Sequence, residues 1–449
     1  MHRIEDRPDR GATALVAMLV GALYGCSGGG SNPADVRDAL DAVAEDAAGE
    51  EDAAAADDGV GAEDGADVSD PVSEEFLTGI VEVLASEEMD GRQPGTAGWA
   101  AARTFIEERM TACGLSPAGS SGWEQAVEGD VGINVLGRVQ GSDPARRDRV
   151  IIVGAHYDHL GDCGGAICNG AYDNATAVAA ALAVGCALVA APPARSVLIA
   201  IWDTEEPPYF LDPEMGSQYY VDHPLVPLPQ TDAAIALDLM GEGLWPGFMG
   251  HVVLGAELSP EVAAAVDVAE VPAGLLAHRL GLHAVEDTAM GHQPWSDYDA
   301  FRNAGRPVLF LSDGQNKTYH QPTDEVSRVD FAKLLLETRY LLRIVSGLGD
   351  AATNPTFVAD GADYARDAAS VLVVLDAALA SGGLVDALGL GASVRTKLEQ
   401  DRTAVLAVQA TLEGGGTLSA AEIGTLRTAT QRVMCLAGST YPDALCMLL

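Results

Sequence analysis

Four aliphatic runs constrain the fold of this chain more than any other feature: RVIIVGA (149–155), SVLIAIW (196–202), AAIALDLM (233–240) and RPVLFLS (306–312). They are near-continuous in Val, Ile, Leu and Ala instead of alternating with polar residues, which is the pattern of a strand buried on both faces. Between the first two lies NATAVAAALAVGCALVAA, Asn174 to Ala191, an apolar helix pattern closed by Pro192 and Pro193. After the last comes the amphipathic DFAKLLLETRYLLRIVSGL, Asp330 to Leu348, and upstream two helices are expected, from Glu75 to Ser86 and from Ala97 to Cys113, the second ending at Gly114. Aliphatic strands separated by helices predict an α/β fold: a mostly parallel central sheet with helices on both faces.

The flanks divide the rest. The first 26 residues carry Arg3, Arg7 and Arg10, then the apolar run Ala12 to Gly25, too short to span a bilayer and suited to a secretory signal. That run ends LYGC, which resembles a bacterial lipoprotein cleavage box and makes Cys26 a candidate lipidation site. Residues 27–71 are an acidic Ala/Gly/Asp/Glu stretch without an aromatic residue, and read as a solvated linker. A catalytic unit is expected over 72–350. Residues 351–449 form a C-terminal helical segment with three helix patterns separated by Gly-rich breaks.

Chemistry gathers where the strands end. In open α/β sheets ligands bind beyond the carboxyl ends of the strands, and every aliphatic run here is followed by polar residues: His156 and Asp158, then Asp203, Glu205 and Glu206, then Asp238, then Ser312, Asp313 and finally His320. Asp173 stands at the start of the apolar helix. Two histidines, two or three terminal carboxylates and one more to bridge suit a pair of zinc ions. Adjacent Glu205 and Glu206 point differently, so one can bind metal while the other takes a proton. Asp158 is placed to reach behind His156 and fix its tautomer.

GAHYDHLG, NGAYDNAT, WDTEE, ALDLMG and YHQPTDE, in this order, resemble the co-catalytic di-zinc aminopeptidase superfamily, which also holds carboxypeptidases and glutaminyl cyclases. The resemblance spans about Val72 to Leu348 and takes in MDGRQPGTAGWAAARTFIEERM, INVLGRVQGS and WSDYDAF. It implies a phosphorylase/hydrolase-like fold with two Zn2+ per chain, His156 and Asp238 on one metal, Glu206 and His320 on the other, and Asp173 bridging. It further implies Glu205 as general base, Asp158 as the residue orienting histidine, and Tyr319 as a donor to the developing oxyanion. The implied activity is exopeptidase, with aminopeptidase favoured over carboxypeptidase. A glutaminyl cyclase needs one zinc, and a catalytically silent binding domain would be expected to lose ligands or base. His159, His223, His251, His278, His283 and His292 are expected to be surface or packing residues, and Ser296 and Asp297 either line the pocket or begin a helix.

A formal charge of −40, from 66 acidic and 26 basic residues, excludes nucleic acid as a ligand and anionic membrane surfaces as partners beyond a lipid anchor. Peptides are the expected substrates, at an exported location in the cell envelope or outside it; oligomeric state is not legible. Cys163 with Cys168, and Cys435 with Cys446, flank short loops that each pair could close. Cys113 and Cys186 lie in apolar helical patterns and read equally well as buried free thiols.

Overall fold

The computed structural model describes residues 70–288, 291–438 and 443–448. The signal-like run, Cys26 and the acidic stretch up to residue 69 lie outside the described residues. These described residues form one compact unit.

Among the described residues nine strands make the main sheet: β1 (Ser116–Pro117), β2 (Glu124–Ala126), β3 (Ile133–Val139), β4 (Val150–His156), β5 (Ser196–Trp202), β6 (Thr231–Leu237), β7 (Gly250–Leu254), β8 (Leu276–Leu280) and β9 (Val308–Ser312). Their spatial order is β1-β3-β5-β4-β6-β9-β7-β8, with β2 also paired to β3. The four aliphatic runs are the central strands β5, β4, β6 and β9, and they are mutually parallel. Strand β3 pairs antiparallel to β5, and β7 antiparallel to β9, so the sheet as a whole is mixed. Every residue of β4, β5, β6 and β9 is buried, as expected of strands covered on both faces. The outlying strands β7 and β8 are short, carry His251 and His278, and lack that continuous aliphatic signal.

The helices follow their caps. In α1 (Glu74–Leu84) the Ser73 hydroxyl accepts from Phe76 N, Glu74 and Glu75 sit in the first turn, and Phe76, Leu77, Ile80, Val81 and Leu84 line one buried stripe. Thr96 caps α2 (Ala97–Ala112) and Asp330 caps α7 (Phe331–Asp350) in the same way. Helix α3 (Thr176–Ala190) has no charged residue and buries nearly all of its surface, as a central helix must. Together α1, α3 and α7 cover one face of the sheet. On the other face are α4 (Gly216–Asp222) and α6 (Tyr298–Asn303), joined through the ring cluster Trp202, Tyr220 and Phe301. Helix α5 (Pro260–Val268) follows β7.

The three C-terminal helix patterns are α8 (Tyr364–Leu379), α9 (Ala392–Glu413) and α10 (Ala420–Gly438), which pack on one another while α8 also packs on β8. Between them and β7, β8 and β9 lies a cavity of about 70 Å³, walled by apolar residues including Val252, Leu254, Phe310, Val371 and Val433.

Among the described residues there are three disulfides. Cys163–Cys168 and Cys435–Cys446 close the two local loops. Cys113 and Cys186 are bonded to each other and are not free thiols: the last turn of α2 lies against α3, with the two Cα atoms 4.9 Å apart.

Candidate metal centre

Register aligns the chemistry. His156 in β4 pairs with Trp202 in β5, and Gly154 with Ala236 in β6, so these strands end level and their next residues share one rim. His156 ends β4, Glu205 and Glu206 follow β5, and Asp238 follows β6. Asp173 enters from the turn before α3, and His320 from the loop after β9. All but His320 are at most 6% exposed.

Backbone contacts hold several of these segments in place. Both oxygens of Asp158 are engaged at 3.1 Å, one by the N–H of Glu205 and the other by that of Glu206. Because β4 stops at His156, Asp158 leaves the pleat, and it is its backbone carbonyl that lies 3.1 Å from His156 Nδ1; its carboxylate is 3.6 Å from that nitrogen. Asp173 is framed by Asp324, whose carboxylate accepts from Tyr172 N at 2.7 Å and Asp173 N at 3.0 Å. Asn174 brackets Asp238 by donating to Leu237 O (3.0 Å) and accepting from Leu239 N (3.3 Å).

Arg92 is fully buried and ties the two sides together. Its guanidinium donates to the carbonyls of Leu84, Tyr157, Asn169 and Gly170 over 2.6–2.8 Å, with Asp173 O at 3.4 Å. Gly170 lies under this hub at φ +59°, where a Cβ would come within 2.3 Å of Asp173 O, so only glycine fits. Arg92 and Asp324 lie within the quoted stretches MDGRQPGT and YHQPTDE, but an arginine bonding only carbonyls and an aspartate bonding only amides leave no spacing signal.

The side chains meet as two groups sharing Asp173. Its Oδ1 is 3.4 Å from His156 Nε2, which is also 3.6 Å from Asp238 Oδ1. Its Oδ2 is 3.2 Å from His320 Nε2, which is 3.1 Å from Glu206 Oε2. Glu205 Oε2 lies 3.8 Å from His156 Nε2, the farthest of the carboxylates around that ring.

His159 is not a surface or general packing residue: it is 1% exposed, with Nδ1 2.8 Å from Glu206 Oε1. Its position inside the cluster follows from the turn that the chain takes after β4. Asp297 is also drawn in, buried at the start of α6. Tyr319 stacks on His320 with ring centroids 3.8 Å apart.

Zinc fits these residues. Bonds of about 2.0–2.1 Å in a tetrahedron put neighbouring ligand atoms roughly 3.3–3.4 Å apart, close to the four spacings of 3.1–3.6 Å around Asp173. His156 Nε2, Asp238 Oδ1, Asp173 Oδ2 and His320 Nε2 are buried without a hydrogen-bond partner, as atoms reserved for a cation would be. Charge demands one too, since six acidic side chains (Asp158, Asp173, Glu205, Glu206, Asp238 and Asp297) share this rim with three histidines.

The titrating groups are pushed apart. Burial raises the Glu206 carboxyl, but His320 and the hydrogen bond from His159 outweigh it and hold it at about 2. Asp173 is likewise carried well below the usual range, its histidine neighbours overcoming burial. Glu205 goes the other way: burial raises it well above an ordinary glutamate despite the opposing pull of His156. Asp297 rises to about 7, chiefly through burial.

A third acidic and histidine group, His251, Asp313 and Glu337, lies apart from this rim and already holds its cation. Lys333 Nζ is 2.6 Å from Asp313 and 3.1 Å from Glu337. Asp313, at the end of β9, therefore serves the lysine and not the rim. Asp203 is similarly structural, accepting from Ile133 N, Trp99 Nε1 and Tyr157 OH.

Residues 134–344 match the model of peptidase family M28. No curated protein matches the chain in sequence. Among solved structures, the Legionella pneumophila LapA aminopeptidase aligns with a TM-score of 0.50 at 12% identity, over 64% of this chain and 75% of that one. The Porphyromonas gingivalis glutaminyl cyclase aligns with a TM-score of 0.49 at 17% identity, over 62% and 99%. A leucine aminopeptidase precursor from Bacteroides thetaiotaomicron aligns with a TM-score of 0.46 at 17% identity, over 61% and 97%. The LapA likeness speaks to the fold, and the family match spans β3 to α7 with every ligand candidate inside it. Residues 134–344 are a peptidase family M28 domain, of the superfamily of co-catalytic zinc aminopeptidases.

Proposed function

We propose that this chain is an aminopeptidase that hydrolyses the N-terminal residue of peptides at a pair of zinc ions. The observation that carries the reading is Asp173 presenting one oxygen to His156 and the other to His320, with Glu205 beside the cluster. Asp173, His156 and Asp238 would hold one ion, and Asp173, Glu206 and His320 the other. Zinc, when bound, supplies Lewis acidity toward the scissile carbonyl and lowers the pKa of water.

The chain's own groups do the rest. Glu205 takes the proton of the attacking water and returns it to the leaving amine. Tyr319, whose phenol burial and nearby carboxylates keep protonated, donates to the oxygen that gains charge. Selectivity for an amino terminus is supported by the charge pattern: among the described residues no lysine or arginine side chain ion-pairs with any of the six acidic groups. A peptide's α-ammonium suits such a rim, and a free α-carboxylate does not. Three disulfides support an oxidising, exported location, to which the LYGC box would add a lipid anchor.

The test is metal content together with activity against aminoacyl-arylamides, N-blocked peptides and N-terminal glutaminyl peptides, with and without chelator. Two zinc ions and chelator-sensitive release from unblocked substrates only is the expected result. One zinc with cyclisation of glutamine would replace it with a cyclase, and neither metal nor turnover would leave a silent binding domain.

A further inference from the structure

We propose that His159 is a positioning residue that decides which oxygen of Glu206 faces the metal, an inference resting on the two-zinc reading of the cluster. His159 follows His156 by three residues, and the turn after β4 sends the two rings to opposite ends of Asp173. His156 lies on the Asp238 side and His159 on the Glu206 side. His159 is fixed from behind: a Cβ on Gly170 would come within 2.6 Å of its Cδ2, and the His159 backbone N–H donates to Arg92 O at 3.3 Å.

The distances separate a positioning role from a ligating one. Atoms sharing a tetrahedral zinc stand roughly 3.3–3.4 Å apart. His159 Nδ1 is 2.8 Å from Glu206 Oε1, which is hydrogen-bond length, and 3.8 Å from Asp173 Oδ2, which is too far for either contact. His320 Nε2, by contrast, stands 3.1 and 3.2 Å from Glu206 Oε2 and Asp173 Oδ2. His159 therefore donates from Nδ1 to Oε1, and Oε2 is left for the ion beside His320. Nε2 of His159, like Nε2 of His156 and His320, has no hydrogen-bond partner, so it is the Nδ1 distances that separate the two roles. The donor matters because the terminal torsion of a glutamate is broad and two-fold. With Oε1 unheld, Glu206 could rotate, or offer both oxygens at once.

The experiment measures zinc affinity by competition with a chromophoric chelator, and the imidazole number by zinc X-ray absorption, on the full chain and on His159→Asn and His159→Leu. The asparagine amide nitrogen takes the place of Nδ1; leucine removes it. We expect two zincs with one imidazole each in the wild type. One of them should weaken about 10–100-fold in His159→Leu, as for other groups that orient a ligand, and stay within a few-fold in His159→Asn. Three imidazoles for two zincs in the wild type, or unchanged affinities in His159→Leu, would overturn the proposal while the two-zinc reading stands. If the leucine variant does not fold, a His159→Asn protein that loses one zinc 10-fold or more overturns it as well. A wild type that binds no zinc removes both.

Discussion

The bond between Cys113 and Cys186 should be the most stabilising covalent link in the molecule, and its worth follows from chain length. In the loop-entropy description a disulfide stabilises by shrinking the unfolded ensemble, with ΔS of about −2.1 − 1.5R ln n cal/mol/K for a loop of n residues. The separation of 73 residues then gives about 4 kcal/mol at 25 °C, against about 3 for Cys435–Cys446 at 11 and about 2 for Cys163–Cys168 at 5. Location adds to the effect, because this bond anchors α2 to α3, the helix that begins just after Asp173. The perturbation is Cys113→Ala with Cys186→Ala, compared with the equivalent double variants of the other two pairs. Denaturant unfolding at equilibrium should lose stability in the order of the three loop lengths. Alkylation of the unfolded, unreduced wild type should leave both cysteines unlabelled. A loss below about 1 kcal/mol for the 73-residue loop, or labelling of either cysteine, would refute the reasoning.

Three further outcomes are expected. Glu205→Gln should keep both zinc ions but lower kcat about 10²–10⁴-fold, the usual worth of a general base; near-wild-type turnover would remove it from that role. Asp173→Ala should release zinc, since each half of the cluster would lose a ligand, and full occupancy measured by atomic absorption would end the bridging assignment. Glu337, buried against Asp313 and Lys333, has its carboxyl raised to about 8 chiefly by burial. A raised carboxyl contributes nothing below its unfolded pKa and destabilises as it ionises, so the native state should lose stability as pH climbs from about 4.5 to about 8. Glu337→Gln should lack this loss, and a wild-type-minus-variant curve that stays flat over that window would count against it.

Much of the fold was legible because burial on both faces writes itself into composition. Strands β4, β5, β6 and β9 had to be continuous runs of aliphatic residues, and α3 had to be apolar all round. Strand β3, which runs antiparallel, and the short β7 and β8 lie toward the edges, where packing tolerates His251, His278 and Arg138, so their periodicity is weak. Metal-ligand candidates were legible for a different reason: imidazole and carboxylate side chains at the ends of buried runs are costly unless they are used.

The sequence by itself determined the succession along the chain of the segments that carry the chemistry, the residues offered at the end of each aliphatic run and the helical nature of the C-terminal segment. Tertiary structure alone decided which groups meet. It brought Cys113 to Cys186 across 73 residues and gave Asp313 to Lys333 instead of to the rim. It set Arg92 among carbonyls from distant segments and turned His159 onto Glu206. Those outcomes depend on distances between segments far apart in the chain, which close packing sets and no local pattern of residues encodes.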